Sequence, residues 1–224
     1  MSFTDPRAID EPLGILGGTF DPVHTAHLRL AEEAMGQLRL GGVLWIPAGQ
    51  PRHRAPPVAS AEHRLAMVRL ATSGHPEYQV DATEACSVAP SYTVPTLERL
   101  RQVYGPRRPL VLLMGADAFL GLASWYRWRD LFGLAHVAVV SRPAFTLAAE
   151  AMNDALADEF RRRRAMQVVA LASGPAGVIF TYTMEAGTVS STEVRARLSD
   201  GSAVEELLPA TVLDYIRRHR LYLS

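Results

Sequence analysis

Gly17-Gly18-Thr19-Phe20-Asp21-Pro22-Val23-His24-Thr25-Ala26-His27-Leu28 is the stretch on which the reading of the chain turns. A short apolar run, Leu13 to Leu16, precedes it and reads as a strand. Beyond it, Leu28, Ala31, Ala34, Met35 and Leu38 recur at the spacing of one buried helical face. The loop therefore lies at a strand-to-helix turn, where free backbone N–H groups and the helix dipole favour an anion. Gly17 and Gly18 lack a Cβ, which lets a ligand approach the main chain. His24 and His27 fall on one face of the first helical turn, so that two ring N–H donors could meet phosphate oxygens. The plainer alternative makes both histidines cap or core residues. Neither the Gly-x-Gly-x-x-Gly dinucleotide spacing nor a Gly-Lys-Ser/Thr phosphate loop is present.

Working outward, Gly41-Gly42 ends the helix and Val43-Leu44-Trp45-Ile46 reads as a second buried strand, which completes a βαβ unit and implies a parallel sheet. Pro47 to Pro57 contains Pro47, Pro51, Pro56 and Pro57 and is expected to be irregular. It carries His53 and Arg54, and a solvated loop is its simplest reading. Even so, it leaves the carboxyl end of a parallel strand, where open α/β sheets bind ligands. A helix is expected over Ser60 to Ser73 with Ser60 as cap, then a short strand at Tyr78-Gln79-Val80. Ser91-Tyr92-Thr93 precedes Pro95, which suits the first position of a helix running to Tyr104.

Leu110 to Met114 is the clearest strand, ending in Gly115-Ala116-Asp117, with Asp117 as a candidate cap for Ala118 to Leu122. Ser124 to Trp128 is expected to begin a short helix, with Trp128 in the core. Val137 to Val140 is a further strand, and Leu147 to about Met166 reads as helix. The Arg161-Arg162-Arg163-Arg164 run is most simply a solvated helix end. Val178 to Tyr182 is the last strand, and Val189-Ser190-Ser191-Thr192-Glu193-Val194-Arg195 leads into a helix capped by Ser191 or Thr192. Leu207 to His219 closes the chain as an amphipathic helix. The alternation predicts an α/β fold, a Rossmann-like doubly wound parallel sheet flanked by helices with a small C-terminal helical part. We expect a single domain over 13–224 behind a loose arm at 1–12.

Composition narrows the class. In 224 residues, 23 basic and 23 acidic side chains give a formal net charge of +0, so no general field draws the protein to nucleic acid or membrane. Cys86 is the only cysteine, which excludes an intrachain disulfide and a cysteine-rich metal site. No secretory leader is recognisable and no apolar run reaches membrane-spanning length, so a cytoplasmic protein is expected. Whether it forms a homo-oligomer stays open.

The opening stretch resembles the nucleotidylyltransferase signature Gly-x-Phe-Asp-Pro-x-His-x-Gly-His, with Ala26 where that superfamily has glycine. Val189 to Arg195 resembles its second signature, Ile-Ser-Ser-Thr-x-x-Arg, with Val for Ile. Further similarity is spread over residues 13 to 222. It includes Ile46-Pro47-Ala48-Gly49, His53-Arg54, Ala61-Glu62-His63-Arg64, Ser91-Tyr92-Thr93, Gly115-Ala116-Asp117-Ala118, Ser124-Trp125-Tyr126, Ser141-Arg142-Pro143 and Leu221-Tyr222. Together these look like the bacterial nicotinate-mononucleotide adenylyltransferases. Pro95 departs from that pattern, which often has Asp there, whereas Arg54 keeps the family's charge.

The resemblance implies transfer of AMP from ATP to nicotinate mononucleotide, giving nicotinate adenine dinucleotide and pyrophosphate in NAD biosynthesis. It assigns His24 and His27 to the α-phosphate and Arg54 and Arg195 to the outer triphosphate charge. Ser190, Ser191 and Thr192 would add donors at a helix N-terminus. Gly17, Gly18, Thr19 and Phe20 would line ATP, with Asp117 also on the ATP side. Trp125 would stack on the pyridine, and Thr93 with the Tyr126 N–H would bind its carboxylate. The acceptor phosphate is already anionic, so positioning and charge neutralisation should suffice. Mg2+ is expected to arrive with ATP on phosphates and water. A zinc site on His24 and His27 lacks a third ligand at a recognisable spacing. Transfer to another acceptor, such as phosphopantetheine or nicotinamide mononucleotide, and a nucleotide sensor without turnover are the rival functions.

Overall fold

In a computed structural model, the structure describes residues 11–51, 56–141, 147–184 and 189–223. Arg54, His53, Arg142, Pro143 and all but the last two residues of the expected arm lie outside them. In chain order the elements begin with β1 (Leu13–Gly18), α1 (Thr25–Leu38), β2 (Gly42–Pro47), β3 (Gln50–Pro51), α2 (Ala61–Thr72), β4 (Tyr78–Val80) and β5 (Pro90–Ser91). There follow α3 (Thr93–Tyr104), β6 (Leu110–Gly115), α4 (Ala116–Leu120), α5 (Leu131–Leu134), β7 (His136–Ser141), α6 (Asp154–Arg163), β8 (Arg164–Ala165), β9 (Ile179–Thr183), α7 (Ser191–Asp200) and α8 (Ala210–His219). The large sheet has the order β4-β2-β1-β6-β7-β9-β8, and β3 pairs with β5 in a second, two-stranded sheet. β1·β6, β6·β7, β7·β9 and β9·β8 are all parallel. Strand order reverses at β1, as a doubly wound α/β sheet requires. Among the described residues no helix is long and apolar enough to cross a membrane.

The chain divides into two compact units: one of residues 1–16, 33–43 and 92–185, the other of 17–32, 44–91 and 186–224. In the first, β6 and β7 are apolar at consecutive positions because both faces of a parallel sheet are covered. Val94, Leu97 and Leu100 of α3 are buried, as are Leu156 and Phe160 of α6. Phe160 meets Phe119 at a ring separation of 5.9 Å. Arg101 ties the far end of α3 down by donating to the carbonyls of Leu134, Gly105, Arg108 and Pro175. Buried His136 accepts from the Val178 N–H through Nδ1, so Nε2 carries the hydrogen that it donates to Gly174. Desolvation lowers its pKa and keeps the ring neutral.

Every residue of β2 is buried, and its residues 44–47 belong to the second unit. Trp45 sits between Phe20 and Tyr78, with ring separations of 5.5 Å and 5.7 Å. Ser60 caps α2 as expected, accepting from the His63 N–H. Val212, Leu213 and Ile216 form the buried face of α8.

The structure corrects several local expectations. The proline-rich segment is not wholly irregular, because Gln50–Pro51 pairs with Pro90–Ser91. α3 starts at Thr93, which puts Pro95 in its third position, still within the turn whose N–H groups need no helical acceptor. Gly115, in extended conformation, stands at the N-cap of α4, and Asp117 lies exposed within the first turn. Trp125 is extended and Arg127 left-handed at φ 55°, so residues 125–127 form a turn between two 3-10 segments, Leu122–Ser124 and Trp128–Asp130, rather than the start of a helix; Trp128 is buried as expected. α6 begins only at Asp154, because Asn153 caps it. Its arginine-rich end is only partly solvated, since Arg162 and Arg163 both pair with buried Glu159. Ser190, not Ser191 or Thr192, caps α7, and α8 begins at Ala210 rather than Leu207.

Candidate active site

The second unit gathers the first and last signature segments around one buried carboxylate. Asp21 is 4% exposed. Its Oδ2 accepts from the Val58 N–H at 2.7 Å, and its Oδ1 accepts from the Ala59 N–H at 3.0 Å and the Tyr222 hydroxyl at 2.6 Å. Charge-assisted bonds of this kind are what a buried carboxylate needs. On the backbone side, Arg195 Nη1 donates to the Asp21 carbonyl at 2.7 Å and lies 3.8 Å from Oδ2. The Ser191 hydroxyl donates to the Pro22 carbonyl at 3.0 Å. The start of α7 is thereby fastened to the loop before α1.

That loop has a specific internal shape. Phe20 is buried and adopts φ 51°, a left-handed conformation rare for a residue with a side chain. Its ring lies under Gly18, where an added Cβ would come within 2.9 Å of two ring atoms. Phe20 can thus present only main chain to a nucleotide. A Cβ on Gly17, by contrast, would meet no protein atom within 4 Å.

His24 and His27 come together, ring centroids 3.8 Å apart. Phe20 meets His27 edge-on at 5.0 Å. The His24 N–H donates to His27 Nδ1 at 3.2 Å, which fixes His27 as the neutral tautomer with its hydrogen on Nε2. His24 is 5% exposed, and burial alone brings its pKa down to about 4. Its Nδ1 is a buried atom without a hydrogen-bond partner. The expectation of two equivalent donors is therefore refined. His27 is a donor of fixed direction, and His24 is a neutral ring that α1, beginning at Thr25, leaves just outside its first turn.

At α7 the hydroxyls are already partly committed. Ser190 Oγ accepts from the Glu193 N–H at 3.1 Å, Ser191 serves Pro22, and Thr192 Oγ1 accepts from Arg195 Nη2 at 3.4 Å. What the segment offers an anion is the set of N–H groups that open a helix, together with the guanidinium.

The other expected residues lie in the first unit. Thr93 opens α3, and its neighbour Tyr92 meets Tyr126 at a tilt, ring centroids 5.0 Å apart, which brings the turn of Trp125 and Tyr126 beside the start of that helix. Arg127 secures this turn by pairing with Glu98 of α3 and with Asp130. Tyr126 is 53% exposed.

Residues 15–197 match the model of the cytidylyltransferase-like family. The chain is 53% identical to the probable nicotinate-nucleotide adenylyltransferase of Dechloromonas aromatica over 214 residues, covering 96% of this chain and 99% of that one. It is 45% identical to the protein of the same name from Laribacter hongkongensis, covering 95% and 94%. This chain belongs to the nicotinate-nucleotide adenylyltransferase family. It is a nucleotidyltransferase. Its fold is similar to that of the Plasmodium falciparum nicotinic acid mononucleotide adenylyltransferase complexed with NaAD, at TM-score 0.68 and 14% identity, over 95% of this chain and 97% of the other.

Nucleotidyltransferases generally work with a divalent ion and ATP, and the described side chains do not build such an ion a seat. Among the described residues no group of three or more His, Cys, Asp or Glu side chains could hold a metal. Asp21, the buried carboxylate nearest the histidine segment in sequence, already has its oxygens committed. The ion is thus treated as part of the nucleotide substrate.

Two residues of this adenylyltransferase carry structural roles that the sequence reading quoted within motifs but did not assign. Arg64, 1% exposed, donates to the carbonyls of Thr19 (2.6 Å), Ala48 (2.6 Å), Gly49 (2.9 Å) and Ala59 (3.2 Å). Desolvation lowers its pKa, while Asp21 and Tyr222 oppose that shift. Tyr222 holds Asp21 from near the end of the chain. Their signal was the clustering of Ala61 to Arg64 and Leu221-Tyr222 with the family pattern.

Proposed function

We infer that this protein transfers the adenylyl group of ATP to nicotinate mononucleotide in NAD biosynthesis. A phosphate oxygen of the mononucleotide attacks the α-phosphorus of ATP. The bond from that phosphorus to the β-bridging oxygen breaks, and pyrophosphate leaves with the electron pair. The observation that carries the reading is the Asp21 node, which fastens the His24–His27 loop to the N-terminus of α7 and Arg195.

In this reading His27 donates from Nε2 to an α-phosphate oxygen, its direction set by the His24 amide. His24 packs against it as an uncharged ring, so the donor keeps its orientation with no cation beside it. Arg195 and the N–H groups of Ser191 and Thr192 neutralise the departing pyrophosphate, with Ser190 holding that helix end in shape. Arg54 is proposed for the same charge. Gly17, Gly18, Thr19 and Phe20 line ATP through the main chain, and Asp117 is placed on the ATP side. Trp125 stacks on the pyridine, while Thr93 and the Tyr126 N–H bind its carboxylate. Mg2+ accompanies ATP on its phosphates. We place the reaction in the cytoplasm.

The test is pyrophosphate release from Mg·ATP with either nicotinate or nicotinamide mononucleotide, compared as kcat/KM. A strong preference for the acid supports both the reaction and the proposed carboxylate pocket. Equal use of the two overturns the pocket, and no release with either overturns the reaction.

A further inference from the structure

The end of the chain makes a contact that the reaction as described does not use. α8 finishes with Arg220 in left-handed conformation at φ 52°, and the Leu221 N–H returns to the Ile216 carbonyl at 3.0 Å. Tyr222 is left-handed as well, at φ 62°. Two such residues in three turn the chain sharply, although neither is a glycine. The outcome is a phenol donating at 2.6 Å to Asp21 Oδ1, across 201 positions of sequence. Burial and the neighbouring carboxylate raise the phenol's pKa, so the hydrogen stays on Tyr222.

This hydrogen bond bears on Arg195 through charge. Asp21 Oδ2 lies 3.8 Å from Arg195 Nη1, too long for a hydrogen bond, and that same nitrogen donates instead to the Asp21 carbonyl at 2.7 Å. Among the described residues the carboxylate has three other donors: two backbone N–H groups and the phenol. Each draws off part of its demand for a cation. Without the phenol, Oδ1 would keep only the Ala59 N–H among the described residues, and the remaining charge would pull the guanidinium into a closed ion pair. A guanidinium closed on Asp21 has fewer N–H groups to give a phosphate.

We propose that Tyr222 is a positioning residue for adenylyl transfer: its hydroxyl satisfies Asp21 so that Arg195 is held beside the carboxylate but not captured by it. The proposal rests on the functional reading above, and it makes Tyr222 alone of the segment after α8 part of the site's machinery. Four of the five N–H donors of Arg64 are committed to carbonyls, which holds that guanidinium in place while the phenol serves Asp21.

The experiment is a double-mutant cycle in the pyrophosphate-release assay with Mg·ATP and nicotinate mononucleotide. Tyr222→Phe keeps the ring and removes one hydroxyl. It should lower kcat about tenfold while leaving KM for the mononucleotide within twofold. Made in an Arg195→Ala background, the same change should have no further effect, because the phenol acts through the guanidinium. Leu223→Ala, at the exposed neighbour, should leave the turnover of each background unchanged. A tenfold loss that repeats in the Arg195→Ala background would mean that Tyr222 only braces the chain end, and no loss in the otherwise wild-type protein would mean that it does nothing for turnover. Either result overturns the proposal. Inactivity of the wild-type protein itself would instead sink the functional reading, so the two failures are distinct.

Discussion

His24 and His27 sit three residues apart and do different work. His27 accepts a backbone hydrogen at Nδ1, which leaves Nε2 as a donor of fixed direction. Replacing it with alanine should cut kcat by roughly a hundredfold, the scale of losing one preorganised donor, with the thermal transition little changed. Near wild-type turnover in that variant would remove it from the mechanism. His24 is buried and neutral, its pKa lowered to about 4 from an ordinary 6.5. A histidine whose folded pKa is depressed binds fewer protons folded than unfolded between those values. Stability is therefore fully present above about pH 6.5, falls as pH drops towards 4, and levels off below; the shift corresponds to about 3 kcal/mol. Thermal unfolding of His24→Gln should show a shallower loss between pH 7 and 4.5 than wild type. Some slope should remain, because His136 is also buried with a lowered pKa. Identical slopes would mean that His24 is not held neutral by the fold.

At the scale of elements, the loops around the histidines are shaped by carbonyl clamps and by two glycines with opposite demands. A Cβ on Gly49 would lie 2.1 Å from the Glu84 carbonyl oxygen, so Gly49→Ala must move backbone and should cost about 1–3 kcal/mol, read as a lower melting temperature. A Cβ on Gly17 would meet nothing in the protein. Gly17→Ala should therefore melt like wild type yet raise KM for ATP by about tenfold, if the nucleotide lies against that main chain. An unchanged KM would move ATP away from Gly17. Arg64→Met leaves four carbonyls without their donor and should destabilise by about 3–5 kcal/mol, the range for breaking a buried charged network.

These elements also show what could be read in the chain beforehand. The strand-loop-helix at residues 13–38 and the capped helix at the second signature follow from local pattern: apolar spacing, glycines, and hydroxyls ahead of a helix. The roles of Arg64 and Tyr222 do not, because an arginine in a helix reads as a solvated cation until the carbonyls that surround it are known. Pro95 suggests too late a start for α3 for a local reason, since proline is tolerated anywhere in a helix's first turn, not only at its opening. Asp117 is the usual residue type for a cap, yet Gly115 already holds the extended conformation there. The two-residue pairing of β3 with β5 has no period to detect.

For the whole molecule, kinship and fold converge on adenylyl transfer to a pyridine mononucleotide, with relatives of that name matching nearly the full length of the chain. The choice of acceptor rests on the first unit, where Arg127 pins the Trp125–Tyr126 turn to α3 beside Thr93. Trp125→Ala should raise KM for nicotinate mononucleotide at least tenfold and leave KM for ATP unchanged. Weakened ATP use alone would contradict that placement. The most direct single measurement is the ratio of kcat/KM for nicotinate over nicotinamide mononucleotide, read as pyrophosphate released from Mg·ATP. The account predicts a ratio well above ten, because the proposed donors, the Thr93 hydroxyl and the Tyr126 N–H, suit a carboxylate better than an amide. A ratio near one, or no pyrophosphate with the acid, would contradict it.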